Sequence, residues 1–344
     1  MYILGIETSC DESAASVIKG SRGKVEVLSN VISSQIKIHQ KHGGVIPEVA
    51  AREHVVNLIP TIDKALNEAN IKAEDLKAIA TTKGPGLITS LIAGTETAKT
   101  LSFAWQKPII AVNHISGHIY ASFINQKDKI KFPLLSLIVS GGHTSLVYMK
   151  KHFDFKIIGE TKDDAAGEAY DKAANMLNLS YPGGPIIAKR ADSYIKNTSQ
   201  LNFPRPMLNK DNLDFSFSGL KTALYYQIQK DKNWKRRIDE YCFAYQQAVN
   251  EVLIKKSLKA LKKYQAKSFL LAGGVSANKN LRINLKKEIK ENFPKTKFLV
   301  PEFSYTTDNA AMIACAGYFQ YFQEKEKCYS NWSKLKADPG LNLK

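Results

Sequence analysis

Two histidines four residues apart are the side chains best suited to chemistry in this 344-residue sequence. On a helix, His114 and His118 would share one face, which is a good geometry for two metal ligands. A zincin peptidase places a general-base glutamate directly after the first histidine, but Ile115 occupies that position and cannot accept a proton. The spacing argues for a metal site without peptide hydrolysis, or for two structural histidines. Asp308 is a candidate third ligand, although its position also predicts a helix N-cap.

Three glycine-containing turns after apolar runs form a second class of candidate site, at residues 84–86, 140–142 and 273–274. Glycine lets the backbone approach a ligand closely, which suits phosphate oxygens. The Ser-Gly-Gly turn at 140–142 joins two apolar runs as a β-hairpin with an almost bare tip, and residues 3–18 repeat this design. The sequence contains neither a P-loop nor a G-x-G-x-x-G motif. We predict two related lobes on either side of a phosphate-bearing ligand.

Carboxylates are concentrated in residues 163–172, where four occur within nine positions. An acidic first turn complements the helix dipole. On one face of that helix, however, Asp164, Glu168 and Asp171 would repel each other unless a cation, ribose hydroxyls or hydrogen-bond donors satisfied them. Further along the chain, Ser218 is predicted to cap a helix.

The first hairpin tip carries a second pair of acids, Asp11 and Glu12. Both are candidates for orienting Mg²⁺ or a nucleophile. The adjacent Cys10 lacks a local base, which argues against a nucleophilic role.

Two runs of three short strands, each followed by alternating helices and strands, must position these side chains. The strands are predicted at 2–7, 13–18 and 25–32, and again at 134–140, 144–149 and 155–159. This repetition predicts an α/β chain with an internal duplication. We expect an N-terminal lobe over residues 1–131, a C-terminal lobe over 132–307, a closing helix at 308–326 that packs back on the N-terminal lobe, and a frayed tail over 327–344.

The composition indicates a globular protein with a strong basic excess. The hydrophobic content is 44% and the formal net charge is +17, of which residues 230–297 contribute 12. That excess suits a nucleic-acid partner, but 42 lysines against 7 arginines also fit the codon bias of an AT-rich genome. Four scattered cysteines predict neither disulfides nor a zinc knuckle. The sequence shows no membrane span, signal peptide or transit peptide, so we expect a cytoplasmic protein.

Ten short motifs together resemble the universal tRNA N6-adenosine threonylcarbamoyltransferase family, once misnamed O-sialoglycoprotein endopeptidase. They follow one another at family spacing between residues 3 and 317. In order, they are GIETSCDES (5–13), GGVIPE (43–48), GPGL (84–87), NHISGH (113–118), VSGGHT (139–144), DDAAGEAYDK (163–172), YPGGP (181–185), DFSFSGLKT (214–222), AGGVSAN (272–278) and TDN (307–309).

This resemblance implies an actin-like fold of two duplicated, ribonuclease-H-like lobes, as in the sugar kinase, heat-shock chaperone and actin superfamily. It implies an acyltransferase that moves threonylcarbamoyl from threonylcarbamoyl-adenylate to N6 of adenosine 37 in tRNAs reading ANN codons, in a metal-assisted reaction that releases AMP.

The resemblance also assigns roles to residues. His114, His118 and Asp308 would hold one Fe²⁺ or Zn²⁺ per subunit, and Mg²⁺ could accompany a nucleotide. The adenylate phosphate and carbonyl would be received by Ile138, Val139, Ser140, Gly141 and Gly142. Its ribose and adenine would be bound by Asp171, Gly184 and Asn278. We predict that Asp11 or Glu12 assists the attacking amine.

Three positions depart from the family pattern without removing an expected ligand. Asn113 and Ser116 replace a histidine and a glutamate around the first metal ligand, and Thr306 replaces a cysteine before the last helix. These changes would alter the surroundings of the metal rather than its ligands.

The implied partners are tRNA, ATP-derived adenylate, an inactive paralogue of similar fold and a small P-loop ATPase, as in bacterial members, with no membrane. The small-residue helix at 87–105 would either pair with the paralogue or be an ordinary buried helix. Two rival functions remain at this point. One is a small-molecule kinase or ATPase of the same superfamily, and the other is a non-enzymatic tRNA-binding subunit that uses residues 230–297.

Overall fold

The computed structural model describes residues 1–127, 129–196, 198–323, 328–329 and 332–343. The chain forms two compact units. The first comprises Met1–Ile130, His152–Phe155 and Pro301–Lys344, and the second comprises Lys131–Lys151 and Lys156–Val300. None of the helices within the described residues combines the length and apolar character required to cross a bilayer.

The first unit is built on a six-stranded mixed sheet with the order β11-β5-β4-β1-β2-β3. The first three strands form an antiparallel meander, and β4 and β5 then add in parallel to β1. Its strands are β1 (Tyr2–Glu7), β2 (Glu12–Ser21), β3 (Lys24–Ser34), β4 (Leu76–Gly84), β5 (Ile109–Asn113) and β11 (Cys328–Tyr329).

Helices cover this sheet because their apolar faces need burial. Its helices are α1 (Ile36–Gln40), α2 (Pro47–Ala69), α3 (Ile88–Trp105), α4 (His114–Ala121) and α10 (Ala310–Gln323). Proline at the first position starts α2, and Asn70 ends it in the left-handed conformation. Every residue of α10 from Ala310 to Gln320 is buried, so this helix is the core of the first unit.

The second unit repeats the same strand plan with a five-stranded sheet of order β10-β9-β6-β7-β8. Its strands are β6 (Leu134–Val139), β7 (Thr144–Met149), β8 (Phe155–Glu160), β9 (Ser268–Ala272) and β10 (Lys297–Leu299). Its helices are α5 (Ala166–Met176), α6 (Gly183–Asp192), α7 (Ser218–Lys230), α8 (Ile238–Tyr264) and α9 (Lys279–Asn292). In both units a meander is followed by two parallel strands on the side of its first strand, which confirms the predicted α/β duplication.

The start of α7 differs from the prediction, because Ser218 makes no side-chain cap bond there. A carboxylate from a distant segment replaces it. Asp163 accepts hydrogen bonds from the backbone N–H groups of Phe217 and Ser218 at 2.7 and 3.2 Å, and from the hydroxyls of Ser216 and Ser218 at 2.5 and 2.7 Å. A negative charge at the N-terminus of α7 also interacts favourably with the positive end of the helix dipole.

The remaining acids of residues 163–172 each contact a protein donor, although Oδ2 of Asp164 has no hydrogen-bond partner among the described residues. Lys172 lies 2.7 Å from Asp164 and 2.8 Å from Glu168, and Asp171 accepts from the backbone N–H of Gly183 at 2.7 Å. The sequence left open whether a bound cation, ribose hydroxyls or hydrogen-bond donors would satisfy these acids. The contacts in the structure come from donors of the chain itself.

The C-terminal segment differs from the expected frayed tail over 327–344. Within residues 332–343, Leu335 is fully buried in the core of the first unit. The backbone N–H of Asp338 donates to the carbonyl of Lys83 at 2.8 Å. Burial of one leucine and backbone pairing hold this segment. The closing helix ends at Gln323 in the described chain, and residues 324–327, 330–331 and 344 lie outside the described residues.

Close packing of β1 on α10 depends on Gly5. A Cβ atom there would lie 2.3 Å from the carbonyl oxygen of Ala310 and 2.9 Å from the Cβ of Ala314. Since a backbone atom cannot move aside cheaply, we expect Gly5→Ala to lower the free energy of unfolding by about 1–3 kcal/mol in chemical denaturation.

Gly44→Ala is the matched control, because nothing lies within 4 Å of its added Cβ atom. We expect that variant to stay within about 0.5 kcal/mol of the unaltered chain. Equal stability of the two variants would contradict the close packing of β1 on α10.

Candidate metal centre

The two histidines lie in the first turns of α4, directly after β5. Asn113 caps this helix, because its Oδ1 accepts from the N–H groups of Ile115 and Ser116 at 2.9 and 3.2 Å. The cap fixes where the helix starts, so that His114 and His118 lie on one face with ring centroids 4.7 Å apart. Both side chains are buried.

Asp308 reaches the same place from the segment before α10. Its Oδ1 lies 3.2 Å from Nε2 of His118 and 3.6 Å from Nε2 of His114. The prediction that Asp308 caps the last helix is wrong, because the N–H of Met312 donates to Oδ1 of Asn309 at 3.0 Å. Capping by the neighbouring asparagine leaves the Asp308 carboxylate beside the histidines.

Glu7 orients His114 by contacting Nδ1, the ring nitrogen that is not the one beside Asp308. Its Oε2 lies 3.0 Å from Nδ1 of His114 and accepts from the hydroxyl of Thr82 at 2.7 Å, while Oε1 accepts from the N–H of Ser9 at 2.5 Å. Because an ionised carboxylate can only accept, Nδ1 carries the proton, and a neutral ring would present the Nε2 lone pair toward Asp308. A carboxylate behind a histidine is a frequent arrangement in metal sites. Sequence reasoning missed Glu7, although GIETSCDES contains it.

The residues present fit a metal ion. One ligand atom from each of His114, His118 and Asp308 lies within 4.8 Å of the others. Within the described part of the chain, neither ring nitrogen of the buried His118 has a hydrogen-bond partner, even though Asp308 is close to Nε2. A buried nitrogen without a partner costs free energy, and an ion coordinated by Nε2 of His118 would remove that cost for this nitrogen. Two imidazoles and a carboxylate suit Fe²⁺ and Zn²⁺.

Carboxyl groups are concentrated around His114. Burial alone would lower the pKa of His114, but the adjacent carboxylates of Glu7 and Asp308 outweigh burial and raise this pKa to about 9. Burial likewise opposes ionisation of Glu7, yet the contacts with His114 and Thr82 hold its pKa below the usual value. Both shifts favour a Glu7 carboxylate beside a protonated His114, so a metal ion would have to displace the proton on Nε2 of His114.

The predicted catalytic acids lie in the same unit, at the tip that joins β1 to β2. Asp11 is buried and hydrogen-bonds to Glu12. Burial, together with the negative charges of Asp308 and Asp11, raises the pKa of Glu12 to about 10. Burial and the same carboxylates raise the pKa of the Cys10 thiol far above its ordinary range. The thiol therefore stays protonated, in agreement with the argument against a nucleophilic Cys10.

The Ser-Gly-Gly tip of the second unit connects β6 and β7 as predicted. The Ser140 N–H donates to the carbonyl of His143 at 2.8 Å, and the His143 N–H donates back to Oγ of Ser140 at 3.1 Å. Apart from the chain neighbours, no described residue lies within 4 Å of a Cβ atom built on Gly141 or Gly142. The tip is therefore open, and Ile138 and Val139 lead into it as the buried end of β6.

Two further glycines let other elements pack against this tip: Gly273, from one of the three predicted glycine-containing turns, and Gly167, which the sequence did not single out. A Cβ atom on Gly167 would lie 2.5 Å from the carbonyl oxygen of Ser140, and one on Gly273 would lie 2.5 Å from that of Val139. Gly273 also has a φ of +86°, which favours glycine. Gly273 follows β9 directly, whereas Gly167 lies in the first turn of α5, where the sequence gives no turn signal.

Asp171 and Gly184 come together at the start of α6. The carboxylate of Asp171 accepts hydrogen bonds from the backbone N–H groups of Gly183 and Gly184. Burial nevertheless raises the pKa of Asp171, because it outweighs the effect of these two bonds. Asn278 caps α9 by accepting from the N–H of Leu281 at 2.9 Å. Its amide nitrogen donates to Oε1 of Gln246 at 2.7 Å.

Solved structures share this fold. HypF from T. kodakarensis matches 95% of this chain and 49% of its own, with a TM-score of 0.63 and 12% identity. Full-length HypF in its phosphate- and nucleotide-bound form matches 94% of this chain and 46% of its own, with a TM-score of 0.60. At this identity the likeness concerns the fold alone, and it confirms the actin-like architecture.

Sequence relatives are much closer. Proteins named tRNA N6-adenosine threonylcarbamoyltransferase are 47% identical in Listeria welshimeri, over 343 residues, and 46% identical in Bacillus cereus, over 345 residues. Each match covers 99% of this chain and 96% of the relative. A sequence model described by the same name matches residues 26–315. The chain therefore belongs to the tRNA N6-adenosine threonylcarbamoyltransferase family, whose members are transferases that modify tRNA.

Proposed function

We propose that this chain transfers threonylcarbamoyl from threonylcarbamoyl-adenylate to N6 of adenosine 37 in tRNAs that read ANN codons. The amine nitrogen forms a bond to the carbamoyl carbon, the bond from that carbon to the phosphate oxygen breaks, N6 loses a proton, and AMP leaves. The observation that carries this proposal is the convergence of His114, His118 and Asp308 in front of Glu7, in a chain of this family. The enzyme would act in the cytoplasm.

His114, His118 and Asp308 would hold one Fe²⁺ or Zn²⁺. When bound, the ion would supply Lewis acidity toward the carbamoyl or phosphate oxygen. Glu7 would keep the ring of His114 in one tautomer and orientation, because its carboxylate accepts from Nδ1. The buried position of both histidines would keep water away from the ligand atoms.

The adenylate would bind to the second unit. Its phosphate and carbonyl would be received at Ile138, Val139, Ser140, Gly141 and Gly142, because the tip carries no bulky side chains and its backbone can approach an anion closely. Its ribose and adenine would contact Asp171, Gly184 and Asn278. The amide of Asn278 has hydrogen-bonding capacity beyond its two observed bonds. A nucleotide bound here could bring Mg²⁺.

Asp11 and Glu12 would assist the attacking amine. Two neighbouring carboxyl groups that share a hydrogen bond hold a proton between them, so one acts as acceptor and the other as donor. The acceptor would take the proton that N6 loses.

The inactive paralogue and the small P-loop ATPase would dock on the first unit, which carries exposed aliphatic side chains on two helices in contact. These side chains are Val55, Val56 and Ile59 on α2, and Ile88 and Ile92 on α3. The small residues of α3 would not form this surface, because Gly94 is buried against the side chain of Thr8.

The reaction is tested by reconstitution with threonine, bicarbonate, ATP, the adenylate synthase, both partner proteins and unmodified tRNA. We expect threonylcarbamoyl-adenosine in digested tRNA from the unaltered chain. Gly142→Val should lower the rate at least about tenfold, because a branched side chain would block the backbone at the tip, while the melting temperature stays unchanged since the site of the new Cβ is open.

Gly44→Val provides a control of equal size at another open position, and we expect it to keep full activity. Nucleotide hydrolysis without modified adenosine would instead favour a kinase or ATPase. Binding of tRNA without modification would favour an assembly subunit.

The metal ligands are tested by elemental analysis of purified protein. We expect about one Fe²⁺ or Zn²⁺ per unaltered chain and less than about a tenth as much in His118→Ala, because three ligands are the minimum that such sites provide. His39→Ala is the control, since His39 is equally buried but is held by Gln35 and the N–H of Ile46. Equal metal content in both variants would show that His118 is not a metal ligand.

The proposed role of Glu7 predicts that its substitution weakens metal binding without abolishing it. Glu7→Gln keeps the size of the side chain but removes the negative charge behind His114, so we expect metal affinity to fall by about 10–100-fold. Competition with a chromogenic chelator measures this change. An affinity within twofold of the unaltered chain would show that Glu7 serves the fold alone.

A further inference from the structure

The outward face of α7 and the turn after it carry an unusual combination of cations and aromatic rings. Tyr225 and Tyr226 are adjacent, 50% and 59% exposed, and their ring centroids are 5.6 Å apart. Five cations lie near them in the sequence, the half-buried Lys221 and the exposed Lys230, Lys232, Lys235 and Arg236. We call these seven residues the basic–aromatic surface.

The cations of this surface make no ion pair with any described residue, whereas three basic residues further along the chain do. Arg237, the next cation along the chain, is paired with Asp231 and Glu240. On α8, Lys255 pairs with Glu251 and Lys259 with Asp211. The surface therefore presents about five positive charges that the protein itself does not neutralise.

The two tyrosines add a second requirement for a partner. Large aromatic side chains that remain half exposed expose apolar area to water, and stacking against a flat partner would bury it. Cations that track phosphates together with aromatic rings that stack on bases are the usual features of surfaces for single-stranded nucleic acid. A flat acidic protein would satisfy the charges but not the stacking.

Hydrogen bonds connect this surface to the Ser-Gly-Gly tip within the second unit. The carbonyl of Ser140 accepts from the N–H of Gly167 at 3.1 Å, at the start of α5. The segment before that helix holds Asp163, which fixes the start of α7 through Phe217 and Ser218. From there α7 extends for 13 residues, or about 20 Å, which is comparable to the width of an RNA helix.

We propose that the basic–aromatic surface holds the tRNA substrate, with its cations on backbone phosphates and its tyrosines stacked on unpaired bases. This inference rests on the proposed function, because it assigns a binding surface to the tRNA of that reaction. The second unit would then carry both the adenylate site and a binding surface for the tRNA that receives the threonylcarbamoyl group.

Binding of a fluorescently labelled, unmodified tRNA transcript to the full chain tests the proposal by anisotropy at several salt concentrations. We expect the triple variant Lys221→Gln, Lys230→Gln, Lys232→Gln to bind about 10–100-fold more weakly, and the slope of log affinity against log salt to decrease in magnitude by about 2.

A charge-matched control removes three lysines from α9, Lys286→Gln, Lys287→Gln and Lys290→Gln. These lysines are exposed but alternate with Glu288 and Glu291. We expect less than a threefold change in affinity. Equal losses in both triple variants would show that net charge alone acts, and would overturn the proposal. Absence of tRNA binding by the unaltered chain would overturn it as well.

The tyrosines are tested separately. Tyr225→Ala with Tyr226→Ala should weaken tRNA binding about tenfold without changing the salt slope, whereas phenylalanine at both positions should restore binding, because stacking needs only the ring. A melting temperature close to that of the unaltered chain confirms that α7 is intact. Loss with both pairs of substitutions would contradict stacking.

The outcomes separate this surface from the reaction. If tRNA binds through these residues but no modified adenosine forms, the proposed reaction fails and the surface stands. If modification proceeds while both lysine variants bind tRNA equally well, the surface fails and the reaction stands.

Discussion

A fully buried carboxylate, Glu7, is the constraint on which the first unit depends. Burying a charge is costly unless hydrogen bonds and an opposite charge compensate it. Ser9, Thr82 and His114 supply that compensation, and each belongs to a different part of the chain: the tip after β1, the end of β4 and the start of α4. Removing any one of these donors would leave part of the charge unsatisfied. The same bonds that stabilise the carboxylate therefore also hold together the three segments that form the metal centre.

The second unit uses carboxylates differently, to hold the first turns of helices. Asp163 binds the start of α7 and Asp171 binds the start of α6, and both charges lie at the positive end of a helix dipole. Asp163 precedes α5 and Asp171 lies within it, and because the N-terminus of α5 packs on the Ser-Gly-Gly tip, three helices are tied to one turn. A precise backbone site can therefore be built from a tip that has almost no side chains of its own.

Much of this could be predicted from sequence, and the failures have a common cause. The strands, the duplication and the pairing of His114 with His118 follow from local patterns of apolar residues, glycine and helical spacing. Glu7 was missed because its partners lie 75 and 107 positions away. The helix caps were misassigned by local rules as well: Asn309 replaces Asp308, and Asp163 replaces Ser218. Competing donors and acceptors from distant segments decide such cases, and a single sequence does not show them.

The sequence suggested two acidic regions where a cation could bind. In the structure, the carboxylates of these two regions are compensated differently. In residues 163–172, Lys172 and backbone N–H groups meet the carboxylates. Around Asp308 the balance is different, since Glu7, Asp11 and Glu12 add acidic groups to a buried region in which His114 is the adjacent cation. Burial, together with repulsion from the neighbouring carboxylates, raises the pKa of Glu12 and favours its protonated form. A divalent ion between His114, His118 and Asp308 would relieve that repulsion and would also give Nε2 of His118 a partner. Electrostatics and hydrogen bonding thus favour the same position for a metal.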